Sequence, residues 1–286
     1  MVVTTRETPI KSLPHTEYVL LMSDPHIGAA FVDYDRIKQD LRLAREHSAR
    51  ITINGDVFDN ILPKDMKRYN PTALHPRLQN RSDILNAAVD FAFEILEPYK
   101  DLIDVIGVGN HDTCVEQRHS LDAVSILIQR LNQSGAKINH GGYAGWYVLR
   151  WKYGIRSYYT LKIRYHHGAG GASPVTKGIT DFQRMNSFIE GADVVHVGHK
   201  HNRFVDTSHM KQTLSNAGKV EHRRVVNVMT GSYMDTYSQQ ESQEILDSGR
   251  RQNYAADWNI PQQEKGGVLL RIDLVANKDP YVTALV

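Results

Sequence analysis

An α/β fold is the class this sequence predicts, and three observations predict it. Short apolar runs recur along the chain, at Tyr18–Met22, Ile51–Ile53, Leu102–Val108, Ala192–Val197 and Val225–Met229. Longer stretches with helical spacing lie between the first three of these runs. An alternating stretch from Trp146 to Tyr165 adds a hairpin. Strands that alternate with helices build β-α-β units, because parallel neighbours need a crossover between them.

In chain order, residues 1–14 form a polar leader ending at Pro14, and residues 15–286 a single domain, long enough to bury a sizeable core. The first strand is Tyr18–Met22. A helix is expected over Asp35–His47, where Ile37, Leu41 and Ala44 share one face. A second is expected over Ser82–Leu96, where Ile84, Leu85, Ala88, Phe91, Ala92 and Ile95 recur at helical spacing and Ser82 is the expected N-cap. The hairpin turns at Tyr153-Gly154, with Tyr147, Leu149, Trp151, Tyr159, Leu161, Ile163 and Tyr165 on alternate positions. Two polar segments, near 60–81 (with Pro63, Pro71 and Pro76) and near 238–263, read as loop insertions of the kind that bind ligands or are simply tolerated.

Composition sets bounds on function. The 286 residues are 41% hydrophobic and 23% charged, as in ordinary globular proteins. No apolar run approaches the length of a membrane span, and the first residues lack the apolar core of a signal peptide. Cys114 is the single cysteine, so no intrachain disulfide forms and a reducing cytoplasm is the default compartment. Next to the third cluster below, Cys114 reads as a small buried apolar residue. The net charge of +2 is unevenly spread: residues 146–226 carry 13 Lys or Arg against 5 Asp or Glu. That basic stretch suits an anionic substrate, and equally a solvated surface.

Five clusters of Asp, His and Asn follow these strands. Asp24-Pro25-His26 sets a carboxylate and an imidazole two residues apart, on one side of extended chain. In Gly55-Asp56-Val57-Phe58-Asp59 the glycine permits a sharp turn that leaves Asp56 at a strand end, with two oxygens for two ions. Asp59 is either a helix N-cap or a partner to the ligands. Gly109-Asn110-His111-Asp112 offers a neutral carbonyl oxygen, a proton donor in His111 and a carboxylate, Asp112, to orient it; a capped turn is the alternative. His166-His167-Gly168 ends the hairpin, and alternation turns one histidine toward the site and the other away. Gly198-His199-Lys200-His201 supplies two more imidazoles, while His196, inside the apolar run, reads as a buried or sheet-facing histidine. Open α/β sheets place ligands outside the carboxyl ends of their strands, so five such ends can converge. The mixed oxygen and nitrogen set suits Mn, Fe or Zn rather than a thiolate site.

In this order, Asp-x-His, Gly-Asp-x-x-Asp, Gly-Asn-His-Asp, His-Gly and Gly-His-x-His resemble the motifs of the calcineurin-like metallophosphoesterase superfamily. The likeness spans about residues 18–233 and includes the later Met229-Thr-Gly-Ser-Tyr233 turn. It implies a four-layer α-β-β-α sandwich of two mixed sheets flanked by helices. It also implies two divalent ions, Mn most of all, with Fe, Zn or Ni as alternatives. Asp24, His26, Asp56 and His201 would hold one ion, and Asp56, Asn110, His167 and His199 the other. His167 is chosen over His166 because the family's histidine directly precedes glycine. His111 would be the catalytic acid with Asp112 behind it, while a hydroxide bridging ions roughly 3.5–4 Å apart attacks the phosphorus.

The resemblance implies a phosphoester substrate. Protein phosphatases of the superfamily carry Asp-Arg-Gly where this chain has Asp59-Asn60-Ile61, which counts against that branch. A phosphodiesterase or nuclease is the first choice, drawing on the basic stretch and on a possible stacking role for the aromatic hairpin, and nucleic acid or a nucleotide is its expected partner. The 85 residues after His201 leave little room for the capping domain of the family's DNA-repair nucleases. A phosphomonoesterase or nucleotide phosphatase is the alternative, and a metal-binding scaffold subunit the non-enzyme one.

Overall fold

The computed structural model describes residues 1–59, 73–171, 176, 178–235 and 263–285. Residues 60–72 and 238–262 of the two expected insertions, Asn60 and Ile61 among them, lie outside the described residues.

Two six-stranded mixed sheets form the body. One sheet contains β2 (His15–Met22), β3 (Arg50–Ile53), β4 (Ile103–Ile106) and β5 (Asn139–His140), all parallel, and is extended past β2 by antiparallel β11 (Val268–Leu274) and β12 (Tyr281–Leu285). The other runs in the order β1 (Val2–Ile10), β6 (Ala144–Tyr153), β7 (Ser157–His166), β8 (Val194–Val197), β10 (Val220–Met229) and β9 (Phe204–Leu214). Strands β7, β8 and β10 are mutually parallel.

The sheets pack face to face, with Val19, Leu21, Val105 and Leu270 of the first against Tyr147, Leu149, Trp151, Leu161 and Val194 of the second. Helices α1 (Tyr34–Glu46), α2 (Ile84–Leu96) and α4 (Ala123–Gln133) cover the outer face of the first sheet, and α5 (Ile179–Phe188) that of the second. The α-β-β-α sandwich is therefore present, layer by layer.

The helices form where the spacing places them. In α1, Ile37, Leu41 and Ala44 are buried, and the Asp33 carboxylate caps the first turn by accepting from Arg36 N at 2.9 Å. At α2 the expected cap is displaced: Asp83, not Ser82, holds the N-cap position, and its carboxylate is engaged by Arg81 at 2.7 and 2.8 Å instead of the helix amides.

Two further expectations change. Within the residues expected as a polar leader, Val2–Ile10 pair along β6 in parallel register, a role suited to their run of Val and Thr. The hairpin forms as expected, but its aromatic face is internal: Tyr147, Trp151 and Tyr165 are buried between the sheets. Opposite pairs such as Tyr147↔Ile163 and Leu149↔Leu161 fill the core, so these rings are not available for base stacking. Among the described residues, no helix is long and apolar enough to cross a membrane.

Candidate metal centre

Strands β2, β3 and β4 of one sheet and β7, β8 and β10 of the other point their carboxyl ends into one region. The loops that leave them hold strained backbone. Asp24, His26, Asp56, His199 and His201 all have positive φ, between 45° and 68°. For residues with a Cβ this conformation costs about 1–2 kcal/mol each and persists where surrounding structure demands it. Two glycines make the approach possible. A Cβ on Gly55 would sit 2.6 Å from His167 Nδ1, and one on Gly109 only 2.1 Å from Asp56 Oδ1.

The candidate ligands fall into two adjoining groups, Asp24–His26–His201 and Asp56–His167–His199, each with its donor atoms within 4.8 Å of one another. Asp24 Oδ1 lies 3.3 Å from His201 Nε2, and His26 Nε2 lies 3.2 Å from that same nitrogen. Asp56 Oδ2 lies 3.2 Å from His167 Nε2. Asp24 Oδ1 stands between the groups, 3.9 Å from both His26 and His167. Asn110 opens α3 (Asn110–His119), directly before the amide of His111 that donates to Asp56 Oδ1 at 2.8 Å.

Each aspartate divides its two oxygens. Asp24 Oδ2 accepts from His199 N at 2.9 Å, and Asp56 Oδ1 accepts from His111 N. Their other oxygens, with Asn110 Oδ1, His26 Nδ1 and His167 Nε2, are buried and make no hydrogen bond among the described residues. His26 Nδ1 has the Asp59 carboxylate 3.5 Å away; the other four atoms are costly to bury unless a further partner serves them. Backbone carbonyls also fix two imidazoles. A carbonyl only accepts, so His167 Nδ1 donates to Asn54 O at 2.8 Å and His199 Nε2 donates to Gly170 O at 3.0 Å. The remaining nitrogens, His167 Nε2 and His199 Nδ1, are the ones left to ligate. Carboxylate, amide and imidazole donors turned on one another fit borderline divalent cations.

Electrostatics agree with that fit. Burial alone would raise Asp24, but His167, His201 and His26 hold it well below the ordinary carboxylate range. Asp56 is lowered in the same way, burial being outweighed by His167, His111 and His26. For His167, burial works against the proton, yet the charges of Asp24 and Asp56 raise it to about 9. Both carboxylates are thus ionised and concentrate negative charge in a site with little exposure.

The expected partner of His111 is corrected. Asp112 sits in the first turn of α3, and its carboxylate accepts from Gly109 N at 2.9 Å and from Val57 N and Phe58 N at 3.1 Å. It staples the second motif to the helix start in the manner of a capping box. Burial and the nearby Asp56 charge push it up to about 7. Among the described residues, the carboxylate against the His111 ring is Asp59, whose Oδ1 is 2.7 Å from Nδ1 and also 3.5 Å from His26 Nδ1. Asp59 is held well below the carboxylate range because His111 and His26 outweigh its burial.

Other residues are placed as follows. His166 is half-buried, and its Nδ1 accepts from Gly168 N at 2.9 Å, apart from both ligand groups. Cys114, read from the sequence as buried, is half-buried on α3. His196 is fully buried, its Nε2 3.1 Å from Thr230 Oγ1, which in turn is 2.5 Å from Ser23 Oγ. Sequence reasoning passed over Tyr143 and Lys200. Tyr143 stands edge-on to His166 and His167, with ring centroids 5.5 and 5.4 Å away, and its hydroxyl donates to Gly168 O at 2.9 Å. Nothing in Gly141-Gly-Tyr143 marks it, whereas Lys200 was signalled by its place between two candidate ligands.

No family model matches the chain, and no curated protein does. Several solved structures resemble it weakly, two of them as follows. One is a conserved uncharacterised protein from Streptococcus pneumoniae TIGR4, described as a predicted phosphoesterase, at 13% identity and TM-score 0.31 over 95% of this chain and 99% of that one. The other is a metallophosphoesterase from Sphaerobacter thermophilus, at 14% identity and TM-score 0.31 over 76% of this chain and 77% of that one. Likeness at that level does not bear on function, which has to be read from the donor atoms themselves.

Proposed function

We propose that this chain is a metal-dependent phosphoester hydrolase that works with two divalent cations. The observation that carries the reading is the set of buried carboxylate, amide and imidazole atoms that face one another without hydrogen bonds. Asp24, His26, Asp56 and His201 would hold one cation, and Asp56, Asn110, His167 and His199 the second. When bound, the pair supplies Lewis-acid polarisation of the phosphoryl group and an activated water nucleophile.

The chain's own residues supply the rest. The Asp59 carboxylate accepts from His111 Nδ1 and so orients the ring. The proton for the departing oxygen then leaves from Nε2, the nitrogen turned away from Asp59. The strained loops hold both ligand groups in place before substrate arrives, which lowers the reorganisation needed on binding.

Within this class, a diester substrate, a nucleic acid or nucleotide included, is the preferred reading. It draws on the basic stretch 146–226, and no longer on Tyr147, Trp151 and Tyr165 of the hairpin, which are buried. A phosphomonoester is the alternative.

The test is to strip the protein with chelator, reload it with Mn²⁺, and compare bis(p-nitrophenyl) phosphate with p-nitrophenyl phosphate while counting bound metal. Two equivalents and Mn²⁺-dependent hydrolysis are expected, the diester being the faster. Two equivalents without turnover on either ester, using Mn²⁺, Fe²⁺, Zn²⁺ or Ni²⁺, would leave only a metal-binding scaffold.

A further inference from the structure

The loop after β7 uses its backbone in an unusual way. Four consecutive carbonyls, from Gly168 to Gly171, accept from side chains. Tyr143 takes the first, and the ammonium of Lys200 takes the other three, reaching Ala169 O at 2.6 Å, Gly170 O at 2.8 Å and Gly171 O at 2.9 Å. The three N–H donors of an ammonium match three carbonyls. The Lys200 side chain is only 5% exposed, and among the described residues its counter-charge is Asp181 Oδ2, 3.5 Å away. A buried ammonium is expensive to desolvate, so an ordinary surface role does not account for it.

The middle carbonyl has a second donor. Gly170 O also accepts from His199 Nε2 at 3.0 Å, which leaves Nδ1 as the ring nitrogen His199 can offer in its group with Asp56 and His167. A glycine-rich segment has no side chains with which to hold its own carbonyls in place. We propose that Lys200 is a positioning residue for the second cation: it fixes Gly170 O, which in turn fixes the tautomer and orientation of His199. The middle position of Gly198-His-Lys-His201 would then act in the centre without touching metal or substrate. This inference rests on the two-cation reading above.

The experiment measures Mn²⁺ binding by calorimetry and by the electron paramagnetic resonance signal of a coupled Mn pair, in wild type, Lys200→Met and Lys200→Gln. Outer partners of metal ligands commonly contribute about 10–100-fold in affinity. In Lys200→Met the second equivalent should therefore weaken by about that factor, with the first unchanged and the coupled signal lost. Lys200→Gln, which keeps two donors, should fall between and carries the test if the Met variant fails to fold. The metal-free Lys200→Met variant should melt below wild type, because three carbonyls and Asp181 lose their partner, so all binding is measured well below both melting temperatures. Two equivalents bound as tightly in both variants as in wild type, or equal weakening of both equivalents, overturns the role of Lys200. A wild type that binds fewer than two equivalents would instead overturn the two-cation reading itself, and this inference with it.

Discussion

Asp24 and Asp56 are buried and Asp59 is half-buried, and each has a different neighbour and so a different task. Asp24 and Asp56 each give one oxygen to a backbone amide and turn the other on imidazoles, which suits a ligand. Asp59 gives Oδ1 to His111 and His26, which suits a residue that orients a proton donor. Asp112 spends its carboxylate on three amides and can orient nothing. The distinction is testable through leaving groups. A general acid is worth about 10²–10⁴-fold when the leaving group is poor and far less when it departs as p-nitrophenolate. His111→Ala should therefore lose about that much on alkyl phosphoesters and under about tenfold on p-nitrophenyl esters. Asp59→Asn should show the same split at smaller size, whereas Asp112→Asn should show none and lose stability instead. Equal losses on both ester classes in His111→Ala would remove it as the acid. A split in Asp112→Asn that is absent in Asp59→Asn would restore the expected pairing.

Strands and helices were legible in the sequence to the extent that burial imposed a pattern. The five short apolar runs mark central strands buried on both faces, and α1 shows a clean apolar stripe. Strand β9 does not announce itself, because most of its eleven residues are exposed or half-exposed. Helix α3 hides for a related reason: it presents ligands, and only Asp112 and Val115 of its ten residues are buried. The candidate ligands were legible because motif spacing survives any fold. The Asp59–His111 pairing was not, since it depends on how two loops from different strands meet. Strand β8 shows what an element-scale pattern can hide. His196 shares the inter-sheet side with Val194, and burial lowers it to about 3, against 6.5 for an ordinary histidine. A base depressed on folding stabilises the protein fully above about pH 6.5, and that contribution is lost as pH falls toward 3. The slope is about 1.4 kcal/mol per pH unit. Between pH 6.5 and 4.5, urea unfolding of the metal-free protein should therefore fall by about 2–3 kcal/mol more in wild type than in His196→Gln. Parallel pH profiles for the two proteins would contradict the buried neutral histidine.

Across the whole molecule, the two sheets are joined at both ends of the sandwich by polar groups, and by apolar packing between. At the end where the parallel strands finish, one sheet supplies Asp24, His26, Asp56 and Asn110, and the other supplies His167, His199 and His201. At the opposite end stands Asp104, buried near the start of β4. It accepts from Arg50 of its own sheet, at 2.8 Å from Nε, and from Arg6 of the other sheet at 3.2 Å, together with the hydroxyl of Tyr147. Only 6% of the Asp104 side chain is exposed, and 13% of Arg50. Removing one member of such a cluster typically costs about 3–5 kcal/mol, because a buried charge is left behind. Asp104→Ala should thus lose about that much in urea unfolding of the metal-free protein, and Asp104→Asn less, since it keeps an acceptor for Tyr147. The metal end offers an independent compensation. A ligand bound only by the folded state adds about 2.7 kcal/mol at a concentration 100 times its dissociation constant. If cations join the sheets as the ligand sets imply, saturating Mn²⁺ should raise wild type and Asp104→Ala by the same increment, because the two ends share no residue. A loss below about 1 kcal/mol in Asp104→Ala would show that apolar packing alone holds the sheets together. An increment absent from both proteins would show that the cations do not bridge them.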